Sequence, residues 1–116
     1  MVSGADISER EVLSALDEVL KARRGASPDS SYVASLYEKG LNKILEKVGE
    51  EATELILAAR DNENGEAPEA LVAEVADLWF HSLILLHHQN LSAADVTALL
   101  AKRFGLSGHA EKAART

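Results

Sequence analysis

The sequence predicts an all-α bundle of four main helices, and three observations carry that prediction. Apolar residues recur every three or four positions through most of the chain, the period of one helix face. Only seven glycines and two prolines punctuate the 116 residues, too few for the turns of a strand-rich fold. The helical runs also begin and end at residues that cap helices. Aromatic residues make up 4% of the chain, so Leu, Val, Ile and Ala must fill the core.

The first run opens at "DISEREVLSAL". Ser8 and Glu11 have the spacing of a capping box, and Ile7 is placed to staple onto Val12. Val12, Leu16, Val19 and Leu20 follow at helical spacing, and the helix should reach about Arg24, where "GASPDS" interrupts it. A second start at Ser30 or Ser31 opens "SYVASLYEKG", with Gly40 as a stop or kink. From 41 to about 60 the stripe Leu41, Ile44, Leu45, Val48, Ala52, Leu55, Ile56, Ala59 is helical throughout. Gly49 inside it costs roughly 1 kcal/mol relative to alanine, which predicts a close approach to the backbone there.

"DNENGEAPEA" reads as a turn, with Pro68 in the first turn of a helix over about 69–89. That helix should pack antiparallel to 41–60. Ser92 then caps a last helix, with Asp95 at its third position and Val96, Leu99 and Leu100 along its stripe. One domain spanning 1–116 is expected, folded over 8–104 with a frayed tail over 105–116.

Charge and composition exclude several functions. A formal charge of −7 argues against a nucleic-acid binder, because phosphate backbones select basic surfaces. It leaves room for a small anionic ligand that arrives with a metal ion. With no cysteine, neither a disulfide framework nor a thiolate site is available. "MVSGADISER" lacks the blocks of a signal peptide. "LVAEVADLWFHSLILL" is interrupted by Glu74, Asp77 and His81, whereas a bilayer span needs about 20 apolar residues. A cytoplasmic protein without a membrane partner is expected.

The acidic residues carry the chemistry. In "KVGEEATELILAARD", Glu50, Glu51 and Glu54 lie within five positions, and like charges four apart on a helix repel unless a cation intervenes. Alone, they would read as a solvated face paired with Lys47. The helix over 69–89 changes the balance, because it is apolar around most of its circumference. Glu74, Asp77 and His81 form one narrow stripe on it. A buried ionised carboxylate costs several kcal/mol unless it is paired or binds a metal. Antiparallel packing would bring Glu51 and Glu54 to face Glu74 and Asp77. Oxygen ligands without thiol or imidazole suit a hard cation such as Mg²⁺ or Mn²⁺. Lys39, Lys43 and Lys47 recur every four residues and lead into the glutamates, either as a solvated face or as phosphate contacts. His81 could hold Asp77, contact a phosphate or be a satisfied core histidine. His87 and His88 read as a helix C-terminus meeting solvent.

Glu50-Glu51-x-x-Glu54, nineteen further residues, then Glu74-x-x-Asp77 resembles the signature of the all-α, MazG-like nucleoside triphosphate pyrophosphatases. "SSYVASLYEKGLNKILEKVGEEATELILAARD" followed by "EVADLWFHSLILL" narrows the resemblance to the phosphoribosyl-ATP pyrophosphohydrolase family. It runs from about Leu13 to Arg103. It implies Mg²⁺-dependent hydrolysis of phosphoribosyl-ATP to the AMP form and pyrophosphate, in histidine biosynthesis, by a stand-alone homodimer. By motif position it implies Glu51, Glu54, Glu74 and Asp77 as metal ligands. Glu50 would be an extra ligand or the base for the attacking water, and Glu51 shares the catalytic role. Lys39, Lys43, Lys47 and His81 would contact the nucleotide. Phe80 stands where relatives often carry tyrosine. A house-cleaning nucleoside triphosphate pyrophosphatase would share the same carboxylates, whereas a di-iron bundle wants Glu-x-x-His pairs that this chain lacks.

Overall fold

Among the described residues five α-helices follow one another, the four main ones expected and a short one set off by a single glycine. The computed structural model describes residues 8–105. The helices are α1 (Val12–Arg23), α2 (Tyr32–Lys39), α3 (Leu41–Asp61), α4 (Pro68–His88) and α5 (Ala93–Arg103), with no strand among the described residues. Gly40 adopts φ 93°, a conformation that L side chains rarely take, so of the two expected outcomes it is the stop, and the run from Ser31 to Asp61 becomes two helices. Lys39 therefore ends α2, while Lys43 and Lys47 belong to α3.

The remaining boundaries follow their local signals. Ser31 caps α2 by accepting from the Ala34 amide at 3.2 Å. Ser92 caps α5 in a full capping box with Asp95. Asn62 Oδ1 closes the turn before Pro68 by accepting from the Ala67 amide at 2.9 Å. Ser8 differs from expectation. It precedes a 3₁₀ turn, Glu9–Glu11, and its hydroxyl caps nothing, because the tighter turn satisfies the Glu11 amide through the Ser8 carbonyl at 3.0 Å. The Ile7 staple and the tail from 106 onward lie outside the described residues.

The core sits at one end of the molecule. Leu20, Val33, Leu36, Ile44, Leu83, Ile84 and Ala93 are buried together, so all five helices contribute to it. Between Ile44 and Leu83 no apolar side chain is buried. The rest of α3 and α4 thus forms a two-helix arm held mainly by its own antiparallel contact. Along the arm Ile56, Leu57, Val72 and Trp79 are each more than half exposed. By length and apolarity α4 could cross a membrane, but Glu74, with an oxygen buried in the hairpin, sits in the middle of it.

The helices are also tied together by polar contacts that span the sequence. Asp17 on α1 accepts from His87 Nε2 at 2.8 Å and from the amides of Ala93 at 2.8 Å and Ala94 at 3.2 Å. His87 is therefore buried and paired, not solvent-facing at the helix end as its position implies. Arg24 donates to the His87 carbonyl and to Asn90 Oδ1, and its guanidinium lies 5.6 Å from the Tyr37 ring centroid.

Gly49 does not receive the expected close neighbour. A Cβ there would meet nothing within 4 Å. Gly49→Ala should therefore stabilise the chain by about 0.5–1 kcal/mol through helix propensity. The check is urea unfolding, with a higher midpoint and an unchanged slope.

Candidate metal centre

Three glutamates converge between α3 and α4. Glu51 and Glu54, one turn apart on α3, meet Glu74 of α4, with one carboxylate oxygen from each lying within 4.8 Å of the others. The i, i+3 spacing puts the first two on one helix face, and the antiparallel hairpin brings the third across. Glu51 is 7% exposed. Two of the oxygens, Glu51 Oε2 and Glu74 Oε2, are buried without a hydrogen-bond partner. An unpartnered buried carboxylate oxygen is costly, and two beside each other need a positive charge or a proton.

The electrostatics respond accordingly. Burial pushes the Glu51 carboxyl above the usual glutamate range, and Glu54 and Asp77 push it further. Glu74 is raised by burial, by the neighbouring Glu54 carboxylate and by the field of Asp77 and Glu51. Each therefore holds a proton more tightly than a free glutamate does, and a divalent cation would displace it. An all-oxygen donor set with two orphaned oxygens fits a hard cation. Asp77 lies outside the group of three, on the exposed side of α4, and acts on Glu51 and Glu74 through its charge.

Lysines flank the cluster on the α3 side. Lys47 donates to Glu50 at 3.0 Å, and Lys43 to Glu46 at 3.3 Å. The Lys47 contact holds the Glu50 carboxyl below its ordinary range. Glu50 is exposed and ionised, and it stands beside the cluster rather than within it. Lys39 is exposed at the end of α2.

His81 forms the wall behind Glu51. It is 7% exposed, and both its nitrogens have protein partners: Tyr32 Oη at 2.8 Å from Nε2, and the Asp77 carbonyl at 2.9 Å from Nδ1. Nδ1 also lies 4.0 Å from Glu51 Oε1. Phe80 packs edge-on against the imidazole, with centroids 5.5 Å apart. Tyr32 is a site residue that the sequence pattern does not single out. It lies 49 positions from its partner, belongs to no acidic or basic run, and is signalled only by its place at the start of α2.

The model of the family described as phosphoribosyl-ATP pyrophosphohydrolase matches residues 13–104. A phosphoribosyl-ATP pyrophosphatase of Hydrogenovibrio crunogenus is 63% identical over 106 residues, covering 91% of this chain and 94% of that one. The protein of the same name from Burkholderia cenocepacia is 55% identical over 108 residues, covering 93% and 89%.

Proposed function

The chain belongs to the phosphoribosyl-ATP pyrophosphohydrolase family, and from that premise we propose how its own residues carry out the reaction. It is an enzyme of histidine biosynthesis that hydrolyses phosphoribosyl-ATP to phosphoribosyl-AMP and pyrophosphate. Water supplies the oxygen, and the bond broken is the α–β phosphoanhydride. Glu51, Glu54, Glu74 and Asp77 would hold Mg²⁺, or Mn²⁺ in its place. The observation that supports this set is the pair of buried, unpartnered oxygens on Glu51 and Glu74. A bound cation there supplies charge neutralisation at the phosphates and acidifies water.

The remaining groups act on substrate and proton. Glu50, kept ionised by Lys47, would accept the proton of the attacking water. Lys39, Lys43 and Lys47 would neutralise phosphate oxygens that the acidic protein would otherwise repel, and His81 stands beside Glu51. Pyrophosphate release restores the Lys47–Glu50 pair. The setting is cytoplasmic, since a substrate with this many charges stays where it is made.

Magnesium titration of the parent followed by turnover of phosphoribosyl-ATP and of a panel of nucleoside triphosphates tests the reading. Thermal stability should rise with Mg²⁺, and turnover should require the second ribosyl phosphate. Equal turnover of simple triphosphates would point instead to a house-cleaning pyrophosphatase. Lys47→Gln should change stability by less than about 0.5 kcal/mol yet raise KM and lower kcat. Parent-like kinetics at low and high salt would reduce the lysines to surface decoration.

A homodimer is proposed as the functional unit, because a second arm would cover Ile56, Leu57, Val72 and Trp79 and complete a four-helix bundle. Trp79 is the only tryptophan and is 60% exposed in the single chain. Its emission should be blue-shifted at working concentration and move to the red on dilution, in step with mass from sedimentation. A monomer at all concentrations would refute the dimer.

A further inference from the structure

We infer that Tyr32 is a positioning residue whose hydroxyl locks His81 as the Nδ1–H tautomer, with the N–H edge of the imidazole turned toward Asp77 and the buried Glu51. The chemistry of the two partners dictates the proton's place. Asp77 offers His81 a backbone carbonyl, which only accepts, so Nδ1 carries the hydrogen. Nε2 is then a bare lone pair on a buried ring, and the Tyr32 hydroxyl is the donor that satisfies it at 2.8 Å. Reversal of the tautomer would set the Nδ1 lone pair against the Asp77 carbonyl and, 4.0 Å away, the Glu51 carboxylate.

Packing alone does not call for tyrosine at this position. The Tyr32 side chain is half exposed and meets the imidazole edge-on, with centroids 5.8 Å apart and planes at 84°. Phenylalanine would fill the same space. What it would lose is the tie between the first residue of α2 and the stripe of α4 that carries Asp77 and His81. Glu51 has an oxygen without a partner and depends on its surroundings for orientation. The fixed N–H edge of His81 supplies one side of those surroundings. Tyr32 thus reaches the reaction through His81 and Glu51 rather than by touching substrate.

The kinetic part of this inference rests on the proposed metal-dependent hydrolysis, whereas the tautomer is a property of the metal-free chain. Long-range ¹H–¹⁵N correlation spectra of the metal-free protein should show His81 as a single Nδ1–H tautomer. In Tyr32→Phe that single pattern should be lost, while circular dichroism stays native. An Nε2–H ring in the parent, or an unchanged ring in Tyr32→Phe, overturns the inference whatever the activity. For turnover, Tyr32→Phe should lower kcat about tenfold, as loss of a supporting hydrogen bond does, with KM within about twofold. His81→Asn, which keeps a donor where Nδ1–H stands, should retain more kcat than His81→Gln. Adding Tyr32→Phe to His81→Asn should cost nothing further. Unchanged kcat in Tyr32→Phe, or a rise in KM alone, overturns the positioning role. If the parent fails to turn over phosphoribosyl-ATP, the functional reading falls and the imidazole spectrum still decides the tautomer.

Discussion

Glu51→Gln is expected to lower kcat by about 10²-fold and, in the metal-free protein, to raise thermal stability. The two effects share one cause. Glu51 is nearly inaccessible and faces Glu54 and Glu74 with an oxygen that nothing satisfies. Ionised, it strains the metal-free fold, and the same charge is what would hold a cation. Asp77→Asn should also remove about 10²-fold or more of kcat. It should stabilise the metal-free chain less, because Asp77 is exposed. Near-normal turnover of Asp77→Asn at moderate Mg²⁺ would remove it from the ligand set. The pH dependence has a definite sign. Glu51 and Glu74 are raised in the folded chain. Their contribution is fully present below the ordinary glutamate value and is lost as pH rises through the raised values. Metal-free protein should therefore lose stability across that window, saturating Mg²⁺ should restore it, and Glu51→Gln should flatten the metal-free curve. Calorimetry against pH, with and without Mg²⁺, reads all three.

Asp17→Ala is expected to destabilise the chain by about 3 kcal/mol and to lower the melting temperature by about 10 °C. One carboxylate satisfies a buried histidine and two amides at the start of α5, so its loss orphans three donors on two helices. Burial opposes ionisation of Asp17, but the hydrogen bonds from the Ala93 amide, His87 and the Ala94 amide hold it below the usual aspartate range. Its stabilisation is present above the ordinary aspartate value and disappears as pH falls through the lowered one, a window below that of the glutamates. Chemical denaturation at neutral pH gives the magnitude. A loss under about 1 kcal/mol would mean that water replaces the carboxylate.

How much of this was legible in the sequence depended on the range of the interaction. Ser31 and Ser92 cap helices as their patterns imply, since a cap is decided within four residues. Ser8 has the same pattern and fails, because a 3₁₀ turn takes up the amide that its hydroxyl would have met. The convergence of Glu51, Glu54 and Glu74 was readable from one helical repeat and one short turn. Asp77 stands outside the group of three, and Glu50 pairs with Lys47, two arrangements that helical spacing does not decide. The Asp17–His87 and Tyr32–His81 contacts join residues 70 and 49 positions apart. No period or spacing connects them. His87 therefore looked like a solvent-facing helix end, and nothing in the pattern tied Tyr32 to His81. Gly49 misled in another way, since its cost in a helix was plain but the close neighbour taken to explain it is absent from the single chain.

The absence of any buried apolar side chain between Ile44 and Leu83 has a dynamic consequence. Amide protection in a folded protein follows what must open for exchange to occur, and segments outside the core open without global unfolding. The backbone of the arm, which carries all three converging glutamates, should exchange its hydrogens well ahead of the helix turns around Leu20, Leu36 and Ile84. Opening the arm would separate Glu74 from Glu51 and Glu54. The site is therefore only as persistent as the hairpin that assembles it. A cation bridging the two helices would slow exchange from Glu51 to Glu74 while leaving the far end of the molecule at its own rate.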